Sequence, residues 1–420
     1  MRHWLGPLNI LNSSSIPSTA AQQTLILLGA STRSAAYSAR RAGLTPYCAD
    51  LFAYEDLRDC CHVSRVDSRD YPSGLEAAAR QAPEGPWAYV GALENHPDLV
   101  SRIATSRPLW GNNADVLLRI RDPLLVAQGL ARMGVPYLEV RQSADGLPRD
   151  GTWLSKPIRG AGGAGIVEWN CRTAESSTVH DGPEVDGDSP VRGVRYFQRR
   201  IRGPSYSCIY VGNGREAVLL GMTRQLVGER AFHAKPFHYC GSIGPIQLSG
   251  PMCDQCVRLG SALAREFGLI GLFGVDAILN QGLAWPVEVN PRFTASMEIL
   301  EHAYGVSLME IHRNASVSGT LRAWDATRPL VKSCLGKAVL FAPHTVEVPC
   351  LGDWRDRPVA WPGRWPVWQV ADVPKAGSRI APRSPILTLF ASGQTQEECY
   401  QSLLTLASEW HTNMDGNRDN

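Results

Sequence analysis

Lys156 ends a short apolar run, Trp153 to Lys156, and runs into Arg159-Gly160-Ala161-Gly162-Gly163-Ala164-Gly165. Glycine lets backbone amides approach phosphate oxygens with no Cβ in the way, and a neighbouring lysine supplies a point charge. The combination suits an anion, and the loop suits a lid that orders over a nucleotide. No Gly-Lys-Ser or Gly-Lys-Thr follows, so this is not the Walker pattern. A glycine-rich hairpin beside a snorkelling lysine fits the same residues.

A second group lies further on, at Asp276 and at Glu288-Val289-Asn290-Pro291-Arg292. Strand alternation puts Glu288 and Asn290 on one face, and an antiparallel neighbour would bring Asp276 beside them. Two carboxylates and an amide oxygen form a hard oxygen set suited to magnesium. Arg292 follows at once, and a guanidinium there can hold a phosphoryl or carboxylate group during transfer. The plainer alternative is a set of strand-end polar residues with an Arg-Glu pair. A third cluster, Arg224, Lys235 and His238, is basic and rich in turn residues. It could meet a substrate or form a solvated hairpin edge.

These residues need a frame. Leu25 to Leu28 reads as a strand, Thr32 to Ala42 as a helix stopped at Gly43, and Leu44 to Ala49 as a second strand ending at Asp50. Trp87 to Ala92 and a helix after Asn95-His96-Pro97 repeat the unit, so residues 24–112 form a small parallel α/β domain. The turn after the first strand has one glycine and falls short of a dinucleotide fingerprint. Asp122 caps a helix from Pro123 to Met133. Strands follow at Tyr137 to Arg141, Trp153 to Lys156, Val194 to Ile201, Tyr206 to Val211 and Ala217 to Val227, then a helix at Asp254 to Phe267. Strands Phe273 to Leu279 and Pro286 to Asn290 come next, with helices near Ala295 to Tyr304 and Ser307 to Ser316. Residues 1–23 read as a flexible tail, Thr173 to Pro190 as a polar excursion, and 326–420 as a separate C-terminal cap ending in an amphipathic helix.

The chain has 420 residues, 44% hydrophobic and 20% charged, with a formal net charge of +2. Such a chain buries a large core in two or more domains, and no global field argues for nucleic acid or an anionic membrane. No apolar run is long enough to span a bilayer, and the N-terminus lacks a signal pattern, so the chain reads as cytoplasmic. Eleven cysteines without regular spacing suit free thiols, and the lone Cys253-to-Cys256 pair has no second pair to complete a zinc site.

The order of lysine with glycine loop, middle strands, Asp, then Glu-x-Asn-Pro-Arg resembles the ATP-grasp superfamily over residues 25 to 320. The stretch Val287 to Glu301 is similar to the biotin-carboxylase-like carboligases. The resemblance implies an α/β and α+β chain: a Rossmann-like pre-ATP-grasp domain (24–112), an ATP-grasp domain (113–325, with lobes 113–203 and 204–325) and the small cap. It implies ATP contacts from Lys156, Gly160, Gly162, Gly163 and Gly165. It assigns the adenine hinge to Gln198, Arg199 and Ile201, where glutamate is commoner than Gln198. Magnesium, replaceable by manganese, falls to Asp276, Glu288 and Asn290, and charge stabilisation on the transferred group to Arg292. The family's early lysine is replaced by Arg119 and Arg121, either of which can meet the nucleotide.

The activity implied is a ligase that converts a carboxylate to an acyl phosphate for attack by an amine. Within it the chain resembles ligases that add glutamate or a similar amino acid to C1-carrier cofactors such as methanofuran or tetrahydromethanopterin. Carboxylation through carboxyphosphate and a non-catalytic nucleotide-binding module are the alternatives, and the absence of a Met-Lys-Met motif argues against a self-biotinylated carboxylase. The expected partners are small-molecule carboxylate and amine substrates, with a homodimer allowed.

Overall fold

The computed structural model describes residues 23–172, 194–325, 329 and 331–415. Apart from Gln23, the expected tail and the Thr173 to Pro190 excursion lie outside them.

The first unit is a four-stranded parallel sheet in the order β3-β2-β1-β4, made of β1 (Thr24–Gly29), β2 (Thr45–Asp50), β3 (His62–Arg65) and β4 (Trp87–Tyr89). Leu25, Ile26, Leu27 and Leu28 are fully buried, as a continuous apolar run must be when a parallel strand is covered on both faces. The helices α1 (Arg33–Arg41), α2 (Glu55–Cys60), α3 (Gly74–Gln81) and α4 (Pro97–Ala104) supply that cover. The chain moves from β1 to β2 and β3 on one side and returns to place β4 on the other. The crevice beyond the ends of β1 and β4 is therefore a topological switch point, the place where open α/β sheets bind ligands.

Helix α5 (Ala114–Ile120) leads to α6 (Pro123–Arg132), whose cap is as the sequence predicts: the Asp122 carboxylate accepts from the amides of Leu124 and Leu125. The small lobe is an antiparallel sheet ordered β5-β8-β6-β7, from β5 (Val140–Arg141), β6 (Asp150–Pro157), β7 (Val167–Asn170) and β8 (Arg195–Arg199). Its own core is Trp153, Trp169 and Phe197. The strand expected from Tyr137 is shorter, because residues 135–139 run as irregular chain up to Val140.

An eight-stranded sheet follows, ordered β13-β12-β9-β10-β11-β14-β18-β16. The large lobe contributes β9 (Ser205–Asn213), β10 (Ala217–Val227), β11 (Tyr239–Gly244), β12 (Ile270–Asn280) and β13 (Leu283–Asn290), with α7 (Gly250–Phe267) packed against it and α8 (Met297–Tyr304) and α9 (Leu308–Ser318) following. The remaining strands are β14 (Cys334–Phe341), β15 (Val346–Glu347), β16 (Val370–Ala371), β17 (Arg379–Ile380) and β18 (Pro385–Gly393), and helix α10 (Gln396–Asp415) ends the described chain. Because β14 pairs with β11, the C-terminal strands extend the large-lobe sheet and do not stand apart as the sequence suggests. Edge pairing of this kind joins segments almost a hundred residues apart, beyond any local signal.

All eleven cysteines are free. Cys253 and Cys256 lie on α7, where the buried Cys256 sulfur meets the Cys208 thiol at 3.7 Å. Among the described residues no group of three or more His, Cys, Asp or Glu side chains could hold a metal ion, and no helix is long and apolar enough to cross a membrane.

Candidate functional site

The two sheets face each other across a cleft of about 800 Å3. Its lining includes the apolar side chains of Leu154, Ile166, Ile278 and Val287 and the Gln198-to-Ile201 connection, together with Gly162, Gly163, Asp276, Glu288, Asn290 and Arg292.

β12 and β13 are antiparallel, with Asp276 directly opposite Glu288, the arrangement that alternation required. Asp276 accepts hydrogen bonds from Ser207 Oγ at 2.8 Å, Gln225 Nε2 at 2.9 Å and Asn290 Nδ2 at 3.1 Å. Burial, and then the charge of Glu288, push its carboxyl up to about 7. Burial acts upward on Glu288 as well, yet Arg121 and Lys156 hold it below the ordinary carboxylate range. Two buried carboxylates facing each other at this pair leave negative charge that a divalent cation would offset, and the hard oxygen set of Asp276, Glu288 and Asn290 fits magnesium.

Lys156, on β6, donates from Nζ to Gln198 Oε1 at 3.0 Å and to the Val287 carbonyl at 3.2 Å. It thus ties β8 to β13. Of the two early arginines the structure separates the roles. Arg119 donates to the carbonyls of Glu266 and Phe267 at the end of α7, a helix-terminal contact. Arg121 reaches into the site, pairing with Glu288 at 2.8 Å and donating to the Gly160 carbonyl at 2.9 Å.

The glycine loop is held by its carbonyls. Gly160 also accepts from Asn95, Gly162 from the Tyr239 amide, and Gly165 from Arg195. Gly163 has φ +82°, and a Cβ there would overlap the Phe237 carbonyl, so only glycine allows the loop to lie on the β10–β11 connection. Arg199 and Ile201 line the cleft, with the Arg199 guanidinium over the Trp153 ring. Arg224 also lines it and sits over the Tyr400 ring. Lys235 and His238 lie half-buried beside Pro236 and Phe237 on the same connection, outside the cleft lining.

Arg292 is anchored from another domain. The turn Leu93–Asn95 after β4 places Glu94, 1% exposed, so that it accepts from Arg292 Nε at 2.8 Å. The second Glu94 oxygen is buried with no partner. A parallel bridge between Val90 and Phe293 fixes the same junction. The sequence carries no local sign of Glu94, and Asn95 reads there only as part of a helix start. Their only cue is position, since both follow a β4 strand at the switch point.

A model of the ATP-grasp domain matches residues 121–296, the span that runs from Arg121 through Lys156 and Glu288 past Arg292. The carbamoyl phosphate synthase large chain of Neisseria meningitidis is 28% identical over 153 residues, 36% of this chain and 14% of that one. The chain thus spans a small fraction of the length of such relatives. Biotin carboxylase of Campylobacter jejuni superposes with a TM-score of 0.67 at 15% identity, covering 90% of this chain and 89% of that one. Phosphoribosylamine–glycine ligase of Thermotoga maritima superposes with a TM-score of 0.65 at 16% identity, covering 92% and 96%. Residues 121–296 thus match an ATP-grasp domain, and the chain as a whole shares the fold of the biotin carboxylase and phosphoribosylamine–glycine ligase structures.

Proposed function

We propose that this chain is an ATP- and magnesium-dependent ligase that activates a carboxylate as an acyl phosphate and passes the acyl group to an amine. The observation that carries the reading is the position of Arg292. It lies past the Asp276–Glu288 pair, and with Thr294 and Ala295 it lines both the nucleotide cleft and a second cavity. A guanidinium between two chambers suits a group made in one and consumed at the other.

In this scheme a carboxylate oxygen attacks the γ-phosphorus, the bond to the β-phosphate oxygen breaks, and ADP departs. The amine nitrogen then attacks the acyl carbon, the carbon–oxygen bond to phosphate breaks with its electron pair on phosphate, and one N–H proton passes to water. Bound magnesium would draw charge from the phosphate oxygens. Lys156 and Arg121 hold the nucleotide end, the glycine loop keeps water from the mixed anhydride, and Arg292 steadies the charge of the transferring group. Tailoring of a C1-carrier cofactor with an amino acid such as glutamate is the narrower form of this reading, supported by overall sequence likeness.

The test is trapping by hydroxylamine. The protein is incubated with ATP, magnesium, a panel of carboxylates and hydroxylamine, and the hydroxamate and ADP are measured. Matched hydroxamate and ADP with one carboxylate supports the reading. ADP release with no hydroxamate from any carboxylate overturns it.

A further inference from the structure

Residues 48–61 run from β2 through α2 to the threshold of β3 and carry a thiol at each end. Cys48, on β2, is fully buried. Cys61 follows the last turn of α2, half-buried, with extended backbone that leads into β3. The Cys61 thiol donates toward the Cys48 sulfur at 3.4 Å. Because β2 and β3 pair in parallel, with Cys48 opposite Val63 just beyond Cys61, the sheet itself fixes this approach. A third thiol, Cys60, is buried next to Cys61. A bond between these chain neighbours would have to twist the peptide that joins them, and the Arg40 guanidinium holds that peptide by the Cys60 carbonyl at 2.8 Å.

Between its two thiols the segment is tied to the rest of the molecule. Asp50, fully buried, accepts from the Thr32 hydroxyl and from the amides of Phe52 and Ala53. Phe52 and Tyr54, with rings stacked at 5.2 Å, line the second cavity, about 210 Å3, where the N-terminal sheet, the large lobe and the C-terminal strands meet. Asp56 accepts from the amides of Asp372 and Val373 at 2.9 and 3.0 Å, and the Glu55 amide donates to the Val373 carbonyl at 2.8 Å. Asp56 also stands 3.5 Å from Arg33 in a buried charge network. There Arg33 binds Glu298 in two contacts of 2.8 and 2.9 Å and Asp372 at 3.0 Å, and Lys337 donates to the same Glu298 at 3.0 Å. This junction thus receives one of its carboxylates from the segment that the two thiols bracket.

We propose that Cys48 and Cys61 are a modification site, a disulfide-forming pair that a low-molecular-weight disulfide closes and a thiol reopens, and that the closed form fastens residues 49–60 at the junction. Cys61 is the point of entry, because Cys48 is sealed from solvent. Its thiolate attacks one sulfur of oxidised glutathione, whose S–S bond breaks, so that one glutathione leaves as a thiolate and the other stays on Cys61. The Cys48 thiolate then attacks the Cys61 sulfur and expels the second glutathione. Two protein thiols are oxidised, one external disulfide is reduced to two thiols, and the two protons pass to the departing thiolates. The sulfurs close from 3.4 Å to about 2 Å, a shift on the scale of a side-chain rotation. Contact with Cys48, and burial besides, hold the Cys61 thiol above the ordinary cysteine range against the lowering effect of Cys60, so the exchange quickens as pH rises. Cys208 and Cys256 make a comparable contact at 3.7 Å, yet both are fully buried and no oxidant reaches them.

The test takes the full chain, reduced and desalted, and incubates it with oxidised glutathione at about pH 8.5, near the ordinary thiol pKa. The protein is then alkylated, digested without reductant and mapped by mass spectrometry. The exposed Cys171 and Cys350 should take up glutathione and so show that the reagent acts. A Cys48–Cys61 linkage that dithiothreitol reverses should accumulate, Cys208 and Cys256 should remain thiols, and hydrogen exchange over residues 49–60 should slow severalfold. Cys60→Ser should still form the linkage. Cys48→Ser should halt at a Cys61–glutathione adduct, and Cys61→Ser should leave Cys48 unmodified. A linkage between Cys60 and Cys61, an adduct on Cys61 that persists in the parent chain, a free Cys61 while Cys171 and Cys350 react, or unchanged exchange over residues 49–60 in the linked protein would each overturn the assignment.

Discussion

The nucleotide cleft and the three-domain cavity are built from the same residue types, yet they differ in how charge is handled. In the cleft, Asp276 and Glu288 face each other with Arg121, Lys156 and Arg292 around them. At the junction, Arg33 and Lys337 are closed into contacts with the carboxylates of Asp56, Glu298 and Asp372. On the reading proposed above, the cleft takes a cation and phosphates. The junction is a clamp whose arginine and lysine are engaged by carboxylates distant in sequence. Strong electrostatics therefore marks two different things in one molecule, chemistry in the first region and domain assembly in the second.

The contrast predicts different weights of stability and turnover for arginine removal. Arg33, with 6% of its side chain exposed, holds Asp56, Glu298 and Asp372 together. Arg33→Met should cost about 3–5 kcal/mol of stability, because it strands buried carboxylates. Chemical denaturation would show it as a lower midpoint, and a midpoint close to the parent's would mean that the network contributes no assembly energy. Arg292→Ala shifts the weight to turnover. It strands one buried carboxylate, Glu94, where Arg33→Met strands three, so the midpoint should fall by less, with ATP-analogue binding nearly normal, while product formation falls on the order of a hundredfold. Lysine should rescue only part of the loss, since a point charge lacks the two-pronged contact. Loss of nucleotide binding with an unchanged rate per bound nucleotide would make Arg292 an anchor. Glu288→Gln belongs with it, and should reduce magnesium-dependent turnover while the fold persists.

What could be read from the sequence follows the same division. Glu288, Asn290 and Arg292 stand within five residues on one strand and its exit, so alternation alone placed them together, and the antiparallel pairing then set Asp276 opposite Glu288. Lys156 and the glycine loop are adjacent in the chain. Arg121 could not be told from Arg119, because the two differ only in which side of a helix end they leave. The junction was illegible for a plain reason. Its contacts join Ser31 to Asp372 and Arg33 to Glu298, across 341 and 265 residues. No local pattern signals such a pairing, just as none signalled that β14 would continue the large-lobe sheet.

A smaller effect tests whether the N-terminal domain reaches into the cleft. Asn95, 5% exposed, donates to the Gly160 carbonyl at 3.1 Å. Asn95→Ala removes one neutral hydrogen bond of about 1 kcal/mol. The apparent affinity for ATP should weaken by up to about fivefold with kcat little changed, and hydrogen exchange over residues 160–165 should quicken. Unaltered exchange there would show that Arg121, Arg195 and the Tyr239 amide hold the loop without Asn95.

The smallest expected effect concerns pH and the edge of the junction. Glu301, fully buried, accepts from Ser38 and the Leu308 amide and lies 3.4 Å from Arg41. Burial pushes its carboxyl up to about 7 despite these partners. An unfolded glutamate titrates near 4.3. Between those values the native state holds a proton that the unfolded state has lost, so the Glu301 contribution is full below about pH 4.3 and declines as pH rises through about 7. Asp56 and Asp276, also pushed up to about 7, act in the same direction. Glu298 is held well below the ordinary range by Arg33 and Lys337 against the upward push of burial, so its contribution declines only on acidification. In the presence of EDTA, Tm should therefore fall from about pH 4.5 to pH 7.5, and Glu301→Gln should flatten that fall by about a third, roughly two degrees. The slope is the readout, because the amide also changes the absolute stability. A parallel curve, shifted but equally steep, would mean that Arg41 keeps Glu301 ionised in the folded protein, and that this end of the junction is a true ion pair.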